Sequence, residues 1–189
     1  MKFTKEEKKY LLKLSRDSLK SFFRSKLPGD IINNLKDIPA DLKQKGATFV
    51  TLTIKGQLRG CIGKLHGTQA IYKDIVENTY SAAFNDNRFE GLAREELEEV
   101  KIEISLLSPM IKFDYENSGQ LLRMLKERKP GLYITAGYNS ATYLPQVWEA
   151  ISEAEKFITE LCFKAGLDPD YWKKEHLGVY TYDVIHFSE

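Results

Sequence analysis

The sequence predicts an α+β protein, a mostly antiparallel sheet with helices packed on it. Three observations carry that expectation. Runs of alternating apolar and polar residues come in pairs joined by tight glycine turns. Segments with the 3.6-residue spacing of a buried helix face lie between them. The order hairpin, helix, strand occurs twice, from Ala47 to Ser108 and again from Leu132 to Phe187, without a residue-level repeat.

The first helix is announced by Thr4 and Glu7, the spacing of a capping box. Tyr10, Leu11, Leu14, Leu19, Phe22 and Phe23 follow at helical intervals, and the helix ends before Pro28-Gly29. Ser25 to Gly46 is polar and broken by prolines, which predicts a connecting arm with one helical turn near Ile31 to Leu35. Ala47 to Lys55 alternates as a strand. Gly56-Gln57 supplies a turn with glycine first, the type II′ pattern, and Leu58 to Gly63 returns as the second strand. Thr68 is the expected N-cap of a helix over Gln69–Phe84 that buries Ile71, Ile75, Thr79 and Ala82. A polar loop over 85–89 and a helical turn near Arg94 to Leu97 lead to the alternating strand Val100–Ser108.

The second half repeats the logic. Leu121 to Leu125 mark a short helix closed by Pro130-Gly131. Leu132–Ala136 and Ala141–Leu144 pair about a turn at 137–140. Ser152 and Glu155 have capping-box spacing before a helix that buries Phe157, Ile158, Leu161 and Cys162 and stops at Gly166. Val179 to Phe187 reads as one final strand.

The totals bound the function classes. The chain has 189 residues, enough for one well-buried core or two closely packed subdomains. Lysine and arginine number 28 against 27 acidic residues, so no global basic excess recruits nucleic acid. Met1 to Lys9 is charged and lacks an apolar core, which predicts no secretory leader. No apolar run reaches membrane-spanning length. Two cysteines without framework or metal spacing suit a reducing cytoplasmic setting, and three scattered histidines give no metal-ligand pattern.

Chemistry concentrates in Leu58-Arg59-Gly60-Cys61-Ile62-Gly63. In a regular strand Arg59 and Cys61 share one face and Leu58 and Ile62 the other. A cation about 7 Å from a thiol favours the thiolate, which makes Cys61 a candidate nucleophile; a small buried hydrophobe is the architectural alternative. Gly60 and Gly63 mark either a bulge or a place where a ligand or second backbone comes close. Arg59 can hold a carboxylate or phosphate in a forked geometry. Asp86 and Arg88 are candidate cleft residues, or simply a turn with an ion pair. Glu103 is a candidate partner for Arg59 or a general base. Gln146 is a candidate amide contact to ligand.

These blocks together resemble the AMME chromosomal region candidate gene family (AMMECR-domain proteins). The hexapeptide is similar to that family's signature. Ala83 to Phe89 resembles its second block, Glu103 to Ser108 the strand that follows, and Leu144 to Trp148 and Cys162 to Leu167 its C-terminal blocks. The likeness runs in order from about Ala47 to Tyr182. It departs at Asn87 and Gly91, where many members have proline. The resemblance implies a single domain over 1–189 with a larger and a smaller closely packed part, and a functional site at the hexapeptide. It names no reaction and no cofactor. By association it points to a pathway shared with Memo-like and radical-SAM proteins. Three expectations follow: a pocket for a small anionic ligand around the hexapeptide, a regulatory module that docks a protein partner on the same strand, or an RNA- or DNA-binding regulator.

Overall fold

The computed structural model describes residues 3–189. It is α+β, with seven helices and two four-stranded antiparallel sheets among the described residues. The chain divides into two compact units. The first comprises residues 1–109 and 185–189, and the second residues 110–184.

In the first unit, helix α1 (Lys5–Phe22) starts as its capping box requires: Glu7 N donates to Thr4 Oγ1 at 3.1 Å, and Thr4 N donates to Glu7 Oε2 at 2.8 Å. The connecting arm contains helix α2 (Pro28–Asn34) and a 3₁₀ turn, Ala40–Lys43, whose Leu42 is fully buried. Strands β1 (Ala47–Ile54) and β2 (Gln57–Gly63) form the expected hairpin. Its turn differs from expectation. Ile54 pairs with Gln57, so the turn residues are Lys55 and Gly56, and both have positive φ, 51° and 79°. That is the type I′ pattern rather than II′.

Helix α3 (Ile71–Phe84) begins two residues later than expected, with Ala70 rather than Thr68 at the N-cap. The reason is tertiary: Gly46 N donates to Gln69 O and Ile71 N to Gln44 O, so residues 69–70 are pinned to the entry of β1. A 3₁₀ turn (Arg94–Glu98) precedes β3 (Val100–Leu107). The sheet order is β2-β1-β3-β8, with β8 spanning Val184–Ser188. Val50, Leu52, Ile102 and Ile104 turn inward onto Leu11, Leu19 and Ile75 of the two long helices.

The second unit contains β4 (Ile111–Lys112), α4 (Ser118–Arg128), β5 (Gly131–Ala136), β6 (Asn139–Tyr143), α5 (Val147–Ala150), α6 (Ala154–Lys164), α7 (Tyr171–Lys174) and β7 (Gly178–Tyr182). Its sheet order is β4-β7-β5-β6. The β5–β6 turn is only Gly137-Tyr138, shorter than expected, and Gly137 has φ +59°. Phe157 stacks on Trp148 with ring centroids 3.6 Å apart, and α6 buries Ile158, Leu161 and Cys162 beside them as its spacing requires. Ser152 does not cap α6; the N-cap is Glu153, whose side chain makes no capping bond. The expected last strand is two strands in different sheets, broken at Asp183.

Candidate functional site

The hexapeptide lies on β2, an edge strand of the first unit's sheet. Thr53 pairs with Leu58 and Leu52 with Gly60, so Arg59 is the extra residue of a β-bulge. The bulge changes which side chains share a face. Ile62 pairs with Val50 and turns to the core. Leu58 pairs with Thr53 on the opposite face, with Cys61 and Thr51, and is exposed. The regular alternation that placed Leu58 beside Ile62 fails at the bulge residue itself.

Both glycines are explained by close approach. A Cβ on Gly60 would collide with the carbonyl oxygen of Ala82 on α3, and one on Gly63 with the Phe49 ring and Thr48 O. Helix and strand backbones therefore meet at Gly60.

Arg59 is held by its own chain. Its Nε and Nη2 donate to Glu96 Oε1 and Oε2 at 2.7 and 2.9 Å, a forked pair. Nη1 donates to Glu90 O at 2.8 Å and Nη2 to Gly91 O at 3.2 Å. The side chains of Arg59 and Glu96 are 16% and 29% exposed. The hydrogen bond from Arg59 holds the Glu96 carboxyl below the usual range. The partner of Arg59 is thus Glu96 and not Glu103, and its fork is occupied by protein.

Asp86 and Arg88 are brought to the hexapeptide, at the outer edge of β2. Cys61 N donates to Asp86 Oδ2 at 2.8 Å, and Arg88 Nη2 donates to Cys61 O at 3.3 Å. Asp86 also accepts from Arg88 Nε and Nη2 at 2.9 and 2.7 Å. Two side chains thereby take both outward backbone groups of Cys61, as a neighbouring strand would. Asp86 is nearly buried at 4% exposure while Arg88 is 54% exposed. The Arg88 guanidinium, with help from Cys61 N–H, holds the Asp86 carboxyl far below the usual carboxylate range.

Cys61 itself is half-buried and its thiol is free. Thr51, its cross-strand partner, donates from Oγ1 to Sγ at 3.2 Å. The guanidinium bonded to this residue's backbone is that of Arg88, through the Cys61 carbonyl. Glu103 pairs with Thr51 from the other side, so it shares the face of Cys61 two strand spacings away, about 10 Å. It does have a partner: His186 Nδ1 lies 3.4 Å from Glu103 Oε1. Gln146 belongs to the second unit, at the N-cap of α5, where its Oε1 is buried without a hydrogen-bond partner.

Sequence reasoning missed Thr51 and Glu96. Thr51 was not reachable by hairpin counting: regular register from the Lys55-Gly56 turn pairs Cys61 with Val50, and the bulge at Arg59 shifts its partner to Thr51. Nor was Glu96, since 37 residues separate it from Arg59.

The fold and the bulged hairpin define an α+β protein built around a glycine-opened edge strand that carries a free thiol. The chain belongs to the AMMECR1 family, whose profile matches residues 12–187. It is 34% identical to a protein of Caldivirga maquilingensis, over 97% of this chain and 86% of that one. A protein of Methanothermobacter thermautotrophicus is 31% identical over 98% and 96% of the two chains. An uncharacterized protein of Pyrococcus horikoshii, known from a crystal structure, superposes with a TM-score of 0.87 at 30% identity, covering 100% of this chain and 94% of that one.

No helix among the described residues is long and apolar enough to cross a membrane.

Proposed function

We propose that the protein binds a small anionic molecule on the outer face of the β1–β2 hairpin, with Cys61 as the reacting group and Arg88 as the cation that receives the anion. Arg59, Gly60, Gly63 and Asp86 then shape the site rather than touch the ligand. The observation that carries this reading is the surroundings of the thiol. A hydroxyl donor lies 3.2 Å from Sγ, and a half-exposed guanidinium is moored to the carbonyl of the same residue. A sulfur nucleophile needs that combination of access, a hydrogen-bond donor and nearby positive charge. Glu103 lies too far along the face to take the thiol proton directly, and serves the reading only as a charge near an incoming group. Docking of a partner strand on the β2 edge fits less well, since Asp86 and Arg88 already take the backbone groups of Cys61.

The test compares a neutral and an anionic alkylating agent on the intact chain. Iodoacetamide should label Cys61 at least about tenfold faster than Cys162, whose thiol is fully buried and pushed up to about 11 by desolvation. The iodoacetate-to-iodoacetamide rate ratio at Cys61 should exceed that of a free cysteine by about fivefold, a Coulomb term near 1 kcal/mol, and fall to the free value in Arg88→Gln. Equal labelling of both cysteines, or an anion preference untouched by Arg88→Gln, overturns the proposal.

A further inference from the structure

The second half of α1 carries three serines, and two of their hydroxyls are accounted for. Ser15 Oγ lies 2.8 Å from Thr79 Oγ1, and Ser21 Oγ donates to Asp17 O at 2.8 Å. Ser18 differs. The residue is wholly buried, yet its Oγ has no hydrogen-bond partner. A helical serine commonly returns its hydroxyl to the carbonyl four residues back, here that of Leu14, and this one does not.

Ser18 instead lies in the wall of a cleft of about 230 Å³ between α1 and α2, its hydroxyl closed to water as the cleft stands. Leu14, Ile31 and Leu35 give the cleft apolar walls, and the exposed Lys13 and Asp17 contribute one charge of each sign. Helix α2 buries none of its residues completely, so its wall is held by partial contacts, and a small outward shift of that wall is what uncovers the Ser18 hydroxyl to a guest.

We infer that this cleft is a second binding site, for a small neutral molecule with an apolar body and one hydroxyl-type group that hydrogen-bonds to Ser18. Each feature of the ligand answers a feature of the cleft. The polar group answers a desolvated hydroxyl that otherwise stays unpaired. The apolar body answers the leucine and isoleucine walls. Neutrality follows from the opposed charges of Lys13 and Asp17, which leave no net field to select an ion. The volume lies below the roughly 300–1,000 Å³ of drug-sized pockets, which limits the guest to a single ring or a short chain.

The site shares no residue with the one at Cys61, so either can fail alone. The test titrates the full-length, isotopically labelled protein with p-cresol, toluene, benzoate and benzylamine, following backbone amide shifts. Saturable shifts with p-cresol should centre on α1 from Tyr10 to Ser21 and on α2. Binding of p-cresol should exceed that of toluene by about fivefold, the worth of one net hydrogen bond, and exceed both ions. Ser18→Ala should erase the preference over toluene, and Ile31→Trp, which fills the cleft, should abolish binding of both. Cys61→Ala should change nothing. No saturable shift in these segments means the cleft holds water only and overturns the inference. So does tighter binding of an ion, or a preference for p-cresol that survives Ser18→Ala.

Discussion

Replacing Asp86 tests whether the β2 edge is held shut by a side-chain pair. In Asp86→Ala, Cys61 N–H loses a charged acceptor at 2.8 Å, and Arg88 loses its carboxylate. Arg88 is more than half exposed, so water recovers most of its loss, and that part is worth under about 1 kcal/mol. The partly buried amide is the larger item, about 1.5–3 kcal/mol for a hydrogen bond to a charged group. The expected destabilisation is therefore about 2–3 kcal/mol, read as a shift of the urea midpoint at unchanged slope. Asp86→Asn, which keeps one acceptor for Cys61 N–H, should lose about half as much. The local readout is amide exchange at Cys61, which should accelerate in Asp86→Ala well before residues in α1 respond. The pH dependence has a definite sign. The folded carboxyl titrates far below its unfolded value of about 3.9, so its contribution is complete above that pH and is lost as pH falls toward the folded value. Wild type and Asp86→Ala should converge in stability only below about pH 4. An Asp86→Ala protein within about 0.5 kcal/mol of wild type, with Cys61 N–H equally protected, refutes the edge-closure reasoning.

Three other outcomes are expected. Arg59→Ala should cost about 2 kcal/mol and Arg59→Lys about 1, because the lysine keeps the charge but not the fork; a double-mutant cycle with Glu96→Ala should return a coupling near 1–2 kcal/mol in urea unfolding. Gly60→Ala should cost about 3 kcal/mol or more, because the obstacle is the Ala82 carbonyl on the α3 backbone, which cannot step aside; a melting temperature within error of wild type contradicts this. Thr51→Val, which removes the donor to Sγ while keeping the strand, should slow alkylation of Cys61 severalfold without changing the fold seen by circular dichroism.

The elements legible in the sequence are those set by local chemistry. Thr4 and Glu7 start α1 because each satisfies the other's backbone, and the alternation of Val100 to Leu107 follows from one buried face. Misreadings arise where a distant partner overrides a local preference. Thr68 has the right chemistry for a cap, but residues 69–70 are already paired with the entry to β1. Val179 to Phe187 is uniformly strand-like, and nothing local says that the chain changes sheets at Asp183. At the site, Gly60 betrayed an irregular strand but not that the extra residue is Arg59. The cysteine, the acid at 86 and the arginine at 88 could be picked out by type. Their arrangement could not, because it depends on the loop after α3 folding back along β2.

The placement of β8 has a consequence for how the polypeptide matures. The second unit is one uninterrupted stretch, whereas the first unit's sheet lacks an outer strand until Val184–Ser188 has been made. During synthesis residues 110–184 have everything they need before the earlier unit does, so the portion translated first is completed last. In the interval the exposed side of β3 is an unpaired ladder, and that is when a chaperone or a second nascent chain has its opening.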